Sequence, residues 1–274
     1  MKDDFWVRKL KLQQMRKISL KLKADEKIIF LADVHLSTTN KIKNDFFARF
    51  LKTLDSSVIA VFILGDLFNF YIGSPQECEE IYASIFAETL KLHEIGTKFY
   101  FLPGNRDFFV FDELNKFGID RLPLWTKLTV NANGEICRIL LTHGDNLMIN
   151  LHSYRFLSSM IRSGLSYSIL NLIGYKNRLR IAKLLRKTLS AKNKSSHPLD
   201  KSMPDFSFIR RDFVKALQYP IISDLADVLI LGHWHLRANI DMNPGKIYVI
   251  GDWRDNEGAL IEFADGQFHH QVFK

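Results

Sequence analysis

Residues 27–35 read KIIFLADVH, and this stretch decides the fold. Residues 27–31 are mostly apolar and rich in Ile and Phe, which predicts a short buried strand. The strand runs directly into Asp33 and His35, so a carboxylate and an imidazole follow its carboxyl end. Ligands of α/β proteins collect where strands end, and the stretch therefore predicts an α/β fold with a site at that edge.

The same pattern, an apolar strand that stops at polar side chains, recurs along the chain. Further strands are predicted at 58–64, 98–102, 139–142 and 228–231. The side chains that follow them are Asp66, Asn105 with Arg106, His143, and His233 with His235. Residues 42–54 and 77–96, between the strands, have helical periodicity. We therefore predict a layered α/β core whose strand ends form one site.

The rest of the chain divides into further predicted parts. Residues 18–23 alternate in polarity and predict an edge strand, and short antiparallel strands are predicted at 246–252, 259–263 and 267–273. Residues 148–217 place basic and apolar residues at helical spacing, which predicts an inserted helical cap. Its apolar face either packs against the core or forms an apolar groove with a basic rim. The predicted organisation is a basic N-terminal extension at 1–26, a core at 27–147 and 218–274, and the cap at 148–217.

The composition is that of a globular protein. Of 274 residues, 47% are hydrophobic and 25% charged, enough apolar side chain to fill a sizeable core. Cys78 and Cys137 are far apart and in no metal-binding spacing, so we expect a reducing cytoplasm rather than a disulfide framework. We expect neither a signal peptide nor a membrane-spanning segment, because no apolar run approaches the roughly 18 to 20 residues that a span needs.

The net charge of +8 is unevenly distributed. Residues 1–24 hold eight lysines and arginines against two aspartates, and residues 151–200 hold ten against one. Both segments favour an anionic partner. Anionic lipid, a phosphorylated substrate and nucleic acid all meet that demand, and so does a merely solvated surface. Charge alone does not choose between them.

The residues at the strand ends are metal-ligand types. Side chains alternate along an extended segment, so Asp33 and His35 should share one face and bind one cation together, as should His233 and His235. Carboxylate, imidazole and amide oxygen suit manganese, iron, zinc or magnesium. One carboxylate can bridge two cations about 3.5 to 4 Å apart, and Asp66 is the natural bridge. Each motif alone is typical of a turn or a capped strand end, whereas their joint occurrence indicates a two-metal site.

The order Asp-x-His, Gly-Asp, Gly-Asn, His, Gly-His-x-His resembles the calcineurin-like metallophosphoesterases. The resemblance implies a sandwich of two mixed sheets flanked by helices, with two divalent cations. It assigns one cation to Asp33, His35, Asp66 and His235. It assigns the other to Asp66, Asn105, His143 and His233.

Arg106 follows Asn105, where many members of that superfamily carry a histidine that protonates a leaving alkoxide. A leaving phosphate has its last pKa near about 6 and departs as an anion without needing that proton. A guanidinium is no acid at neutral pH, but it binds phosphate through a forked contact. Arg106 therefore favours pyrophosphate cleavage over ordinary ester cleavage.

Longer strings resemble the UDP-2,3-diacylglucosamine diphosphatases of lipid A synthesis. They are Gly65–Phe68, Gly104–Phe108, His143–Asp145 and Gly251–Trp253. The resemblance implies hydrolysis of an acylated UDP-sugar to UMP and 2,3-diacylglucosamine 1-phosphate, usually with manganese. It implies catalytic roles for Asp66, Asn105, Arg106 and His143, and substrate contacts from Asn105, Arg106, Tyr154 and Arg186. A lipid substrate also implies peripheral attachment to the anionic cytoplasmic face of the inner membrane.

Two other functions remain open. The first is another dinuclear metallophosphoesterase that acts on a nucleotide pyrophosphate or a phosphodiester. Basic charge suits nucleic acid, but here it lies among Leu and Ile rather than on a strip of stacking aromatics, so nucleic acid is not the expected partner. The second is a non-catalytic binding module of the same fold. Such modules typically lose metal ligands, and this chain keeps all seven.

Overall fold

The order of elements in the computed structural model alternates strands with a few helices. The structure describes residues 15–69, 71, 76–107, 110, 112–145, 177, 180 and 225–274. The helices are α1 (Lys41–Lys52), α2 (Gln76–Ile81) and α3 (Ala83–Glu94), with a 3-10 helix at Asp112–Phe117. The strands are β1 (Arg16–Leu22), β2 (Lys27–Leu31), β3 (Val58–Leu64), β4 (Lys98–Leu102), β5 (Ile119–Arg121), β6 (Thr126–Ala132), β7 (Glu135–Thr142), β8 (Val228–Leu231), β9 (Ala238–Asp241), β10 (Lys246–Val249), β11 (Gly258–Ala264) and β12 (Gln267–Phe273).

These strands form two mixed sheets of six strands each. The first has the order β1-β6-β7-β8-β10-β9, and the second β12-β11-β2-β3-β4-β5. Strands β2, β3, β4 and β5 pair in parallel with one another, and so do β7, β8 and β10. The pairs β2 with β11, β7 with β6 and β10 with β9 are antiparallel. This architecture confirms the predicted sandwich of two mixed sheets. The predicted strand at 246–252 was partly wrong, because β10 ends at Val249 and pairs in parallel with β8 as well as antiparallel with β9.

The N-terminal boundary of the core differs from the prediction. Strand β1 pairs in parallel with β6, from Arg16 opposite Thr126 to Leu22 opposite Ala132, and it forms the predicted edge strand. Its Ile18 and Leu22 side chains are buried in the core between the sheets. Residues 16–22 therefore belong to the first sheet rather than to an extension that ends at residue 26. Residues 1–14 lie outside the described part of the chain.

The predicted cap lies almost wholly outside the described residues. Within 148–217 only Asn177 and Arg180 are described, both as helical. The cap prediction and the substrate contacts assigned to Tyr154 and Arg186 therefore fall outside the described residues. Among the described helices, none has the length and apolarity that a bilayer span requires.

Hydrophobic cores cover both faces of the second sheet, which explains why β2 and β3 are continuous apolar runs. One core lies between the sheets and includes Phe30 and Phe62, whose rings stack with centroids 5.4 Å apart. The other packs α1 and α3 against the outer face. In it, Trp253 packs edge-on against Phe50 of α1 at 5.0 Å. This contact fixes the segment after β10, which lies beside the site.

Candidate metal centre

The predicted ligands meet where strands of both sheets end. Asp33, Asp66 and Asn105 follow β2, β3 and β4 of the second sheet, and His143 and His233 follow β7 and β8 of the first. Backbone bonds connect neighbouring loops: Asp33 N–H donates to the Gly65 carbonyl at 3.1 Å, and Gly232 N–H to the His143 carbonyl at 3.1 Å. The two sheets are joined by His233 N–H, which donates to Asp33 Oδ2 at 2.7 Å. The expected single site at the strand ends is therefore present as a geometric cluster.

Left-handed backbone directs most of these side chains. The φ angles of Asp33, His35, Asp66, His233 and His235 are 54°, 54°, 52°, 71° and 54°. The prediction that Asp-x-His and His-x-His converge by strand alternation was therefore wrong in its cause, because each pair lies beyond its strand in a non-extended conformation. Asp and His tolerate this region better than most residues. Such positions still cost about 1 kcal/mol or more each and are typical of functional sites.

The glycines that precede two ligands are required by close packing. A Cβ atom on Gly65 would collide with the His143 ring, and φ at Gly65 is +85°. A Cβ atom on Gly104 would collide with the Asp66 carboxylate. The Gly-Asp and Gly-Asn motifs therefore bring the backbone of one loop against the ligand of another.

Asp33, His35 and His235 form what we call the outer half of the site. Asp33 Oδ1 lies 3.8 Å from His35 Nε2 and 3.5 Å from His235 Nε2, and the two Nε2 atoms are 3.3 Å apart. Among the described residues, Asp33 Oδ1 and His35 Nδ1 are buried without a hydrogen-bond partner. A buried polar atom without a partner is costly, and a cation between these atoms would remove that cost.

Asn105, His143 and His233 form the inner half. Asn105 Oδ1 lies 3.1 Å from His143 Nε2 and 3.0 Å from His233 Nδ1. His143 Nδ1 lies 2.8 Å from the Leu64 carbonyl, which can only accept, so Nδ1 carries a proton and Nε2 faces the site. This is how a metal-ligating histidine is usually oriented.

Asp66 faces both halves. Its Oδ1 lies 3.7 Å from His143 Nε2, and its Oδ2 lies 4.0 Å from His35 Nδ1. The structure thus brings together all seven side chains predicted as ligands, with Asp66 in the position expected of a bridge. Their binding of metal stays a prediction, which the fit of the donor set supports.

The site's electrostatics also fit divalent cations. Burial raises the pKa of Asp66 to about 6, although the His143 charge opposes the rise. Burial, assisted by the Arg106 charge, lowers the pKa of His35 to about 2. Burial and the neighbouring His143 lower the pKa of His233 to about 3. Neutral imidazole is the form that binds metals, and His35 and His233 favour it. Burial would lower the pKa of His143 and His235 as well, but neighbouring carboxylates raise it, so a cation there would replace a proton.

Arg106 lies against the predicted bridge. Its backbone N–H donates to Asp66 Oδ1 at 2.8 Å, and its Nε is 3.5 Å from Asp66 Oδ2. The side chain is 36% exposed, so a ligand at the strand ends can reach the guanidinium. The structure places Arg106 beside the ligands, as expected of a phosphate-binding group.

Two supporting carboxylates were not assigned from the sequence. Buried Asp107 accepts from the N–H groups of Gly104, Asp66 and Phe68 at 2.8, 3.2 and 3.2 Å, and so holds two ligand loops together. Burial raises its pKa to about 7. Asp252 Oδ2 lies 3.6 Å from His235 Nδ1. Each lies within a string that carried the family resemblance, and that was the only signal for them.

The fold and the site together define a metal-dependent phosphoesterase. Residues 26–237 match the sequence model described as calcineurin-like phosphoesterase, and the chain belongs to that family. Members of the family use divalent metal ions.

Individual proteins are similar to most of the chain. The UDP-2,3-diacylglucosamine hydrolase of Histophilus somni is 31% identical over 88% of this chain and 98% of its own length. The UDP-2,3-diacylglucosamine hydrolase of Pectobacterium carotovorum is 30% identical over 85% of this chain and 93% of its own. Among solved structures, a dimetal phosphatase from Danio rerio is 12% identical, with a TM-score of 0.48 and coverage of 92% and 96%.

Proposed function

We propose that the protein hydrolyses the pyrophosphate of UDP-2,3-diacylglucosamine to UMP and 2,3-diacylglucosamine 1-phosphate. The reaction would use two divalent cations, and manganese is the preferred metal in this proposal. The observation that carries the reaction type is the convergence of Asp33, Asp66, Asn105 and four histidines at the strand ends. The substrate is supported by the relatives, which match nearly their whole length at 30% and 31% identity.

The outer half and Asp66 would hold one cation, and the inner half and Asp66 the other. When bound, the cations polarise phosphoryl oxygens and make water a nucleophile near neutral pH. The chain's own contribution is orientation. The Leu64 carbonyl fixes His143, the left-handed backbone fixes Asp33 and His35, and Asp107 binds the loops that carry Asp66 and Asn105.

Arg106 would bind the phosphate that becomes the leaving group. Its guanidinium lies next to Asp66 and is partly exposed, so it can make a forked contact with a phosphate at the site. A guanidinium neutralises developing negative charge without transferring a proton. This role suits cleavage of an anhydride, whose leaving group departs as an anion.

The substrate proposal is tested by loading purified protein with manganese, adding UDP-2,3-diacylglucosamine, and measuring UMP. We expect release that depends on metal and that Asp66→Asn abolishes. UDP-N-acetylglucosamine, which lacks the fatty acyl chains, and single-stranded nucleic acid are added as competitors. Neither should strongly inhibit UMP release from the acylated substrate. A fully metal-loaded protein that releases no UMP would reject the substrate.

We also propose that the protein acts in the cytoplasm, bound peripherally to an anionic membrane surface. The support is the net charge of +8 and the acylated nature of the proposed substrate. Sedimentation with vesicles of phosphatidylglycerol and phosphatidylethanolamine tests this. We expect binding that falls as salt rises and that is absent with uncharged phosphatidylcholine vesicles. Equal amounts of protein sedimenting with the anionic vesicles and with the phosphatidylcholine vesicles would contradict the proposal.

A further inference from the structure

The guanidinium of Arg106 has a second neighbour, Asn69. Nη1 of Arg106 donates a hydrogen bond to Asn69 Oδ1 at 2.7 Å, while Nε lies 3.5 Å from Asp66 Oδ2. A guanidinium has five N–H groups, and these two contacts use two of them. The other donors suffice for a forked contact with an anion. Asn69 and Asp66 thus hold one part of the group and leave the remainder for a ligand.

The backbone of Asn69 is fixed by the loops that carry the metal ligands. Its N–H donates to the Leu36 carbonyl at 2.8 Å, and Leu36 N–H donates to the Leu67 carbonyl at 2.8 Å. Leu36 and Phe68 form an isolated parallel bridge, and both are fully buried. Asn69 therefore continues the pairing between the segments that follow β2 and β3. The backbone of Asn69 is therefore held by the same series of backbone hydrogen bonds in which His35 N–H donates to the Asp66 carbonyl at 2.9 Å.

An amide acts on a guanidinium differently from a carboxylate. A guanidinium only donates, so Asn69 presents its oxygen to Arg106. A neutral oxygen fixes the direction of the group and leaves its charge intact. A carboxylate at this position would form a forked ion pair with Arg106 and compete with phosphate for the same N–H groups.

We propose that Asn69 is a positioning residue that holds Arg106 toward the substrate phosphate while keeping the positive charge available. Asn69 acts through Arg106 and not on the reacting atoms. The inference rests on the proposed function, because it takes Arg106 as the group that binds the pyrophosphate.

A double-mutant cycle tests the coupling. We expect Asn69→Ala to lower kcat/KM for UMP release about tenfold, and to change it by less than about twofold when Arg106 is already Ala. Metal content and thermal unfolding should stay unchanged. An equal loss in both backgrounds, or no loss in either, would overturn the proposal. Asn131→Ala is the matched control, since within the described part of the chain Asn131 Oδ1 accepts a local bond, from Gly134 N–H at 3.2 Å, and contacts no predicted ligand.

Asn69→Asp separates position from charge. It keeps an acceptor for Arg106 and adds a competing negative charge, so we expect KM to rise about fivefold or more while kcat changes less. A KM equal to that of the wild type would contradict the role of the neutral amide.

Calorimetric titration of metal-loaded protein with inorganic pyrophosphate gives a readout independent of hydrolysis. We expect about tenfold weaker binding for Asn69→Ala and no further loss beyond that of Arg106→Ala in the double variant. If the losses of pyrophosphate affinity in Asn69→Ala and Arg106→Ala added up in the double variant, the positioning role would be rejected and the proposed substrate would not. Wild-type protein that binds pyrophosphate with this coupling but releases no UMP would reject only the proposed substrate.

Discussion

The outer and inner halves of the site differ in what fixes their histidines. In the inner half, His143 is 1% exposed and its Nδ1 bonds a backbone carbonyl of β3 at 2.8 Å. In the outer half, the His235 side chain is 38% exposed and its Nδ1 faces the Asp252 carboxylate at 3.6 Å. Asp252 also lies 3.7 Å from Arg254, which is 69% exposed. His143 of the inner half is thus fixed by a buried strand, whereas His235 of the outer half is oriented by partly exposed side chains. We expect the inner cation to be retained and the outer one to exchange.

The largest effect should come from Asp66, which faces both halves. Asp66→Asn should lower bound metal in both and reduce kcat/KM by at least about a thousandfold, because metal chemistry supplies several kcal/mol. Metal analysis by mass spectrometry and UMP release measure the two effects. Asp45→Asn, at an exposed carboxylate paired with Lys41 at 2.7 Å, is the control and should leave both unchanged. Full metal content in Asp66→Asn would exclude a bridging role.

Alanine variants of His235 and His143 should affect the cations of the outer and inner halves differently. His235→Ala should lose about one cation per chain, and excess manganese should restore much of its activity because His235 is partly exposed and the other ligands of that cation remain. His143→Ala should lose activity by about a hundredfold or more without such rescue, because its ligand nitrogen is buried. Activity is measured against manganese concentration. Equal rescue of both variants would remove the distinction between the halves.

Asp252→Asn should weaken only the outer half. Replacing a carboxylate that orients a ligand typically costs about tenfold to a hundredfold in metal affinity. The manganese concentration for half-maximal activity should rise by that factor, with kcat at saturating metal near that of the wild type. A lower kcat that metal cannot restore would place Asp252 in the reaction itself.

The smallest effect belongs to an ion pair that precedes β8. Hydrogen bonds from Arg138 lower the pKa of Asp227, and the Arg138 Nε donates to Asp227 Oδ2 at 3.0 Å. A lowered pKa means that the pair stabilises the fold above the unfolded-state pKa of about 4 and ceases to do so as pH falls through the lower, folded-state value. Asp227→Asn should cost less than about 1 kcal/mol at neutral pH, because solvent screens the partly exposed pair.

Denaturant unfolding at neutral pH and at about pH 3 measures this contribution. The difference in unfolding free energy between wild type and variant should be smaller at about pH 3 than at neutral pH. At neutral pH the two proteins should bind the same amount of metal. A difference that grew in acid would contradict the assignment.

Strands that are buried on both faces were predicted most accurately from the sequence. Strands β2, β3, β4 and β8 have the predicted bounds, because each is an uninterrupted apolar run followed by a ligand. Strand β5 is three residues long, too short for a periodic pattern. Strand β6 alternates with only Leu128 and Val130 as large apolar residues, and β9 has no apolar run. Strand β5 pairs with β4, β6 with β1 and β7, and β9 with β10, and the residue pattern within each strand does not report this pairing.

The site shows the same limit. The ligand side chains were predicted because their residue types and order are informative. Asp107 and Asn69 were not assigned roles, because their partners are set by tertiary contacts: Asp107 accepts from residues up to 41 positions away, and Asn69 contacts Arg106 across 37. The Asp-x-His pair was predicted to converge for a reason that the backbone does not follow. Residue chemistry was thus readable from the sequence, and the local conformation was not.

The positive φ angles at five ligand positions restrict how this scaffold could be re-engineered. Exchanges among Asp, Asn and His keep residues that tolerate the backbone, so a directed-evolution library confined to them could alter metal selectivity with little disturbance of the loops. Threonine or valine at the same positions would be disfavoured before any question of coordination arose, because branching at Cβ conflicts with that conformation.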